Sequence, residues 1–248
     1  TSAEKASQIN VELGMGYYQQ GNLELANEKL VKALDQDPNS SQAHLAYAVL
    51  QYRYLDNEKA EFHFSKAIEL DPVNSEALHT YGAFLCNEDR IEEAEKLFMR
   101  AVKNRNYRTP ELSYASAGVC LLELDSSQTE KAKQYFTKAL ALRTNYTPAL
   151  INLAEISFNE KNHDLASLYL QRLHVVSKPS ARSLWLNIRN DLELNRNDNL
   201  PQLVRKLKTA YNGHQPTSPV TRGTNPRIPR KVPNPPSTVP ENPSQMST

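Results

Sequence analysis

The segment GMGYYQQGNLELANEKLVKALDQDP, residues 14–38, is followed 34 positions later by AVLQYRYLDNEKAEFHFSKAIELDP, residues 48–72. Both segments have the pattern small–x11–Ala–x3–large apolar–x2–Ala–x4–Pro. Three further copies, each without the final proline, contain Gly82, Ala94, Phe98 and Ala101; Gly118, Ala132, Phe136 and Ala139; and Ala154, Ala166, Leu170 and Leu173. The fourth copy carries two extra residues in its turn DSSQ. Five copies at nearly one period predict an array of repeated units.

The spacing within each copy has a mechanical explanation. Two antiparallel helices can approach closely only where the facing side chains are small, so Gly or Ala on the first helix faces Ala on the second. Pro38 and Pro72 end the second helices, because proline lacks the N–H that a continuing helix needs. This pattern is typical of the tetratricopeptide repeat (TPR). It predicts an all-α, right-handed superhelix of about six helix-turn-helix repeats.

A sixth helix pair is predicted without the small-residue signature. The segments ARSLWLNIRNDLEL and NLPQLVRKLKTAYN, residues 181–194 and 199–212, both have apolar residues at helical spacing. A degenerate terminal pair suits the end of a solenoid. Trp185 occupies an apolar helical position, so we interpret it as a core residue rather than a ligand anchor. The predicted TPR solenoid spans residues 1–212, with repeats at about 7–40, 41–74, 75–110, 111–146, 147–180 and 181–212.

Residues 213–248 are predicted to form a Pro-rich, basic, disordered tail. Nine of the chain's 15 prolines lie in this segment, and it has four basic residues against one acidic residue. Its net charge of +3 leaves −2 for residues 1–212. Such a composition cannot bury a core and favours disordered or polyproline-like structure. A solvated linker is the favoured interpretation, and a specific ligand is the alternative.

Composition and motifs do not indicate an enzyme. The chain has 29 Lys+Arg against 28 Asp+Glu, so no global field draws it to nucleic acid or a membrane surface. It has no Gly-rich phosphate loop, no G-x-S-x-G elbow and no H-E-x-x-H motif. The six histidines include no i,i+4 pair. We therefore expect no catalytic residues, no cofactor and no metal site.

The sequence shows neither a membrane-spanning pattern nor a signal-peptide pattern. No apolar run approaches the ~20 residues that a membrane-spanning helix needs. The first residues, TSAEKASQIN, do not have the basic and then apolar pattern of a signal peptide. We therefore expect this start to be that of a mature or trimmed chain.

The TPR resemblance implies which residues line the inner groove. In such superhelices the first helix of each pair faces inward through positions 2, 5, 9 and 12 of the repeat. In the first two repeats these positions hold an apolar stripe: Val11, Met15, Tyr18, Leu45, Val49 and Tyr52. A solvated groove should be polar, so we favour a partner-binding surface over packing of these residues on one another. Positions 5 and 9 hold no Lys and Asn pair, which disfavours a carboxylate-clamp co-chaperone.

Four segments resemble a particular family: GMGYYQQGNLELA at 14–26, YGAFLC at 81–86, AGVCLL at 117–122 and SLWLNIR at 183–189. They are similar to the type IV pilus biogenesis lipoproteins PilF and PilW. The resemblance implies a monomeric pilotin on the periplasmic face of the outer membrane, which binds the secretin subunit and promotes its localisation and multimerisation. The acylated cysteine of such a lipoprotein would lie upstream of Thr1. The alternative function is a general scaffold of the cell envelope, with the basic tail supplying contact.

The resemblance also implies a disulfide between Cys86 and Cys120. Members of the family commonly carry cysteine at both positions, and the periplasm is oxidising. The bond would join the third and fourth repeats. The alternative is two small buried apolar side chains, since free cysteine is readily accommodated in a core.

Overall fold

The computed structural model describes residues 2–124 and 126–212. These residues form twelve α-helices and one short 3-10 turn, Ser126–Gln128. The helices are α1 Ser2–Gln19, α2 Leu23–Gln36, α3 Ser41–Arg53, α4 Asn57–Leu70, α5 Ser75–Asn87, α6 Ile91–Lys103, α7 Pro110–Leu124, α8 Thr129–Leu142, α9 Thr147–Asn159, α10 His163–Val176, α11 Ala181–Glu193 and α12 Leu200–Asn212. The prediction of an all-α array of about six helix pairs is confirmed. The tail predicted at 213–248 lies outside the described residues.

The two helices of a pair meet along a seam of small side chains. The alanines of this seam are fully buried: Ala26, Ala33, Ala60, Ala67, Ala94, Ala101, Ala132 and Ala139. A Cβ added at Gly82 would lie 2.9 Å from the ring of Phe98, and one added at Gly118 would lie 2.8 Å from the ring of Phe136. Real Cβ contacts are longer than this, so the repeating small residues are required by the close approach of the helices.

Serine side chains close each of the first three pairs. The hydroxyls of Ser7, Ser41 and Ser75 donate to the carbonyls of Ala33, Ala67 and Ala101 over 2.8, 2.8 and 3.1 Å. Each bond joins the first helix of a pair to the last turn of the second, at a carbonyl that also accepts the N–H of Asp37, Asp71 or Asn104. The three serines are 34 residues apart, a periodicity that the sequence analysis did not use.

Among the described residues, the turns inside five of the pairs each contain a residue in the left-handed region. These residues are Gly21, Leu55, Asp89, Lys161 and Asn195, with φ between 54° and 78°. The next N–H then bonds back to a carbonyl five residues earlier, as from Asn22 to Tyr17 at 2.9 Å. This is the Schellman motif, which favours glycine because a side chain is strained at positive φ.

The array curves with its odd-numbered helices on the inside. Among the described residues, each odd helix contacts the next odd helix, as α1 does α3 and α5 does α7, whereas consecutive even helices do not touch. In a curved array the elements on the inner face lie closest together. Helices α1, α3, α5, α7, α9 and α11 therefore line the concave groove.

Candidate partner-binding groove

The six predicted stripe residues divide into two groups in the structure. Two are buried, with 6% exposure each: Val11 and Leu45. Four are half-buried and reach the groove surface: Met15, Tyr18, Val49 and Tyr52. The side chains at position 5 of these repeats are therefore packed inside the protein, whereas those at positions 9 and 12 present apolar surface to the groove.

The half-buried tyrosines are held against the core by their neighbours. The ring of Tyr52 meets the ring of Phe84, in the next repeat, edge-on at a centroid distance of 5.3 Å. Burial raises the pKa of the Tyr18 hydroxyl, although the nearby charge of Arg53 opposes the shift. Both rings thus belong partly to the packed interior and are fixed in place before any partner arrives.

The apolar surface continues past the residues that sequence analysis named. Position 9 holds Met15, Val49, Ala83 and Val119 in the first four repeats, and all four side chains are half-buried. We call this row the apolar band. Leu122, at position 12 of the fourth repeat, is also half-buried beside it. Val119 and Leu122 were missed because the groove prediction did not extend to the fourth repeat, where they occupy positions 9 and 12.

Position 5 of the third repeat holds a buried histidine. The Nδ1 of His79 lies 3.0 Å from the hydroxyl of Ser113, which lies 3.1 Å from the hydroxyl of Tyr107. Burial lowers the pKa of His79 to about 4. The imidazole is therefore neutral at pH 7 and serves as a polar link between α5 and α7.

The structure joins Cys86 and Cys120 by a disulfide, with their Cα atoms 5.9 Å apart. Cys86 lies on α5 and Cys120 on α7, and both side chains are buried. Cys86 is one helical turn after Ala83, and Cys120 directly follows Val119. The bond thus crosses between neighbouring inner helices, next to the apolar band.

The groove becomes polar in the last two repeats. Position 9 of the fifth repeat is Glu155, and Arg182 of the sixth donates to its carboxylate over 2.7 Å. Arg189 lies over the ring of Phe158, with 4.5 Å from its Cζ to the ring centroid. Trp185 is half-buried and packs on the apolar cluster between α11 and α12. The apolar band therefore ends at the fourth repeat.

Histidine pairing in the second repeat was not foreseen from sequence spacing. The Nδ1 atoms of His44 and His63 lie 2.8 Å apart, and the Nε2 of His44 lies 3.0 Å from the carbonyl of Pro38. The Nε2 of His44 therefore donates to Pro38, and its Nδ1 accepts from His63. Burial lowers the pKa of both rings, that of His63 to about 4. At pH 7 the pair is neutral and links α3 to α4.

Metal sites and membrane-spanning helices are both absent from the described part of the chain, residues 2–124 and 126–212. Nowhere in it do three or more His, Cys, Asp or Glu side chains gather as potential metal ligands. None of its helices combines the length and the apolar character that crossing a membrane requires.

Comparison with known proteins gives the relatives of the chain. The tetratricopeptide repeat family matches residues 11–75 and residues 63–96. The type IV pilus assembly protein PilF of Pseudomonas aeruginosa is 32% identical over 210 residues, which cover 85% of this chain and 82% of that protein.

Two solved structures resemble the fold closely. That of Pseudomonas aeruginosa PilF has a TM-score of 0.78 at 30% identity, covering 86% of this chain and 95% of the other. That of PilW, a widely conserved type IV pilus biogenesis factor, has a TM-score of 0.73 at 24% identity, covering 84% and 95%. The second likeness supports the fold alone. The resemblance seen in the sequence is confirmed, and the chain belongs to the PilF family of type IV pilus TPR proteins.

Proposed function

We propose that the chain is a non-enzymatic pilotin-type adaptor whose apolar band binds a segment of the type IV pilus secretin subunit. By holding that segment, it promotes delivery of the subunit to the outer membrane and its multimerisation. The observation that carries the proposal is the row of half-buried apolar side chains, Met15, Val49, Ala83 and Val119, in the groove of a PilF-family protein. Exposed apolar rows of this kind mark binding surfaces for partner segments.

The dimensions of the band suit a short segment. Neighbouring inner helices are spaced by about 8–10 Å, so the four positions span roughly 30 Å. That length accommodates about nine residues of extended chain or about 20 residues of helix. Burial of apolar surface stabilises the complex by ~25 cal/mol per Å² before the entropic cost of association is subtracted. Because the tyrosines beside the band are already packed, little ordering of the groove is needed on binding.

The proposal includes a location at the periplasmic face of the outer membrane. Attachment would be through a lipid on a cysteine upstream of Thr1. Family membership supports this location, and so does the Cys86–Cys120 disulfide, because such bonds persist in oxidising compartments.

The test replaces two band residues by glutamate. The variant Met15→Glu plus Val49→Glu is expected to keep the helical circular dichroism of the unsubstituted protein, because both side chains already reach the surface. It is expected to abolish secretin multimers in cells, because a carboxylate cannot be buried against an apolar segment without a large desolvation cost.

The matched control makes the same chemical change on the outer face. Leu168 and Val175 on α10 are 50% and 85% exposed, and Leu168→Glu plus Val175→Glu should leave secretin multimers unchanged. Normal multimers in the groove variant would contradict the proposal and favour a general scaffold of the cell envelope.

A further inference from the structure

The sixth repeat differs in charge from the five repeats before it. Residues 1–180 have 19 Lys+Arg against 24 Asp+Glu, a net charge of −5. Residues 181–212 have six against three, a net charge of +3. The array therefore runs from an acidic body to a basic C-terminal repeat, whose excess of basic residues lies on α12.

Two arginines of α11 reach back into the groove onto α9, and their surroundings differ. Arg182 donates to both carboxylate oxygens of Glu155 and to the side-chain oxygen of Asn152, 3.0 Å away. Its charge is therefore neutralised. Arg189 lies at position 9, in line with the apolar band, and is exposed. Its guanidinium is held over Phe158, and it forms no ion pair with any residue of the described chain.

This arrangement presents a cation that is already oriented. The face of Phe158 attracts the guanidinium, at a centroid distance of 4.5 Å, and restricts its movement without using its N–H groups. Acidic residues on the same helix, Asp191 and Glu193, do not pair with it. A guanidinium matches a carboxylate through two parallel hydrogen bonds, and less entropy is lost when the donor is fixed beforehand.

We infer that Arg189 on Phe158 is a carboxylate-binding subsite at the end of the groove, taking an acidic side chain of the bound segment. The inference deepens the proposed function and rests on it. The step from α7 to α11 crosses two inner-helix spacings, roughly 20 Å. The partner should therefore carry its carboxylate about six extended residues beyond the apolar residue that contacts Val119. The segment class is thus apolar at one end and acidic at the other.

The test measures binding of the purified cognate secretin subunit to the full chain at two salt concentrations. Arg189→Gln should weaken binding about three- to tenfold and reduce its dependence on salt, because one charge-assisted contact is lost. Arg189→Lys should recover part of the affinity, since the charge is kept. The matched control is Arg205→Gln, which removes an exposed arginine from α12, outside the groove. It should bind as the unsubstituted chain does.

The outcomes separate this inference from the proposed function. If the unsubstituted chain does not bind the secretin subunit, the proposed function fails and the subsite fails with it. If binding is normal and Arg189→Gln has no effect, only the subsite is contradicted. Equal weakening by Arg189→Gln and Arg205→Gln also contradicts the subsite, because it indicates a general effect of charge. A secretin peptide whose acidic residues are replaced by amides should lose affinity for the unsubstituted chain but not for Arg189→Gln.

Discussion

The first five helix pairs and the sixth reach the same architecture by different packing. In the first five, Gly or Ala at position 8 faces Ala on the second helix, and Phe or Leu fills the adjoining space. In the sixth, the corresponding positions hold Ile188 and Leu200, both buried, and α11 and α12 are close over a shorter stretch than any other pair. The first pair is also terminal but keeps the close approach of Gly14 to α2, so packing through an apolar cluster distinguishes the sixth pair in particular.

The junctions between repeats differ in the same way. The third and fourth repeats are joined by the disulfide within a large apolar core. The fifth and sixth are joined by a polar cluster, in which the fully buried amide of Asn190 donates to the carbonyl of His163 over 2.9 Å and to the hydroxyl of Ser167 over 2.8 Å. The middle of the array should therefore be more stable than its C-terminal end.

Loss of the disulfide should have the largest effect on the difference in stability between the middle of the array and its C-terminal end. Replacing both Cys86 and Cys120 by Ser is expected to lower the free energy of unfolding by about 2–4 kcal/mol, because the bond restricts the unfolded chain. Urea unfolding of the variant and of reduced wild-type protein measures the loss, and the two should agree. An intact mass that does not gain two hydrogens on reduction would show that the bond is absent.

Acid should destabilise the third repeat next. The unfolded chain protonates its histidines below about pH 6.5, whereas His79 in the folded chain stays neutral down to about 4. Between these two pH values the unfolded state binds more protons than the folded state. The free energy of unfolding therefore falls as the pH decreases from about 6.5 to about 4, and His79 does not affect it at higher pH. Between pH 7 and 5 the loss due to His79 is about 2 kcal/mol, and His63, whose pKa is also lowered to about 4, adds to the acid sensitivity.

The variant His79→Gln provides the comparison. Whatever its stability at pH 7, its free energy of unfolding should fall less between pH 7 and 5 than that of the wild type. Equal slopes for the two proteins would assign the acid sensitivity to other groups.

Substitutions at position 8 should change the stability of the protein differently in the first five pairs and in the sixth. Gly118→Ala normally gains stability in a helix, but here its Cβ would meet the fully buried ring of Phe136, so we expect a net loss of about 1–2 kcal/mol. In the sixth pair, Ile188→Val only removes a methylene group and should cost about 1 kcal/mol. Thermal or urea unfolding measures both. A gain in stability from Gly118→Ala would contradict the close-approach explanation.

The smallest expected effect is at the turn inside the second pair. Leu55 is 84% exposed with a φ of 64°, so its side chain is strained there and packs on little. Leu55→Gly should stabilise the protein by about 0.5 kcal/mol, while Asn195→Gly in the sixth pair should change it less, since Asn tolerates this conformation. A loss of stability in Leu55→Gly would show that the leucine makes contacts that offset the strain.

The repeat pattern predicted which small residues allow the two helices of a pair to approach. It did not predict individual side-chain contacts between helices. Gly82 and Gly118 were assigned correctly because only small residues allow the helices to approach. The pairing of His44 with His63 was missed because the two lie 19 residues apart on opposite helices, a spacing with no helical signature. The position of Arg189 over Phe158 likewise arises only when the fifth and sixth repeats meet.

Contacts between helices also limited the prediction of the groove. Family geometry predicted its inner positions, but burial of Val11 and Leu45 depends on how tightly neighbouring inner helices pack, which the repeat pattern does not encode. The extension of the apolar band to Val119 was predictable from the pattern, because this residue occupies position 9 of the fourth repeat.

The most direct test of the account is site-specific photo-crosslinking in cells. A photoreactive amino acid is placed at Val49 or Val119 in the groove, and at Leu168 on the outer face as the control. The account predicts crosslinks to the secretin subunit from both groove positions and none from Leu168. Crosslinks from Leu168 alone, or of equal yield at all three positions, would contradict it.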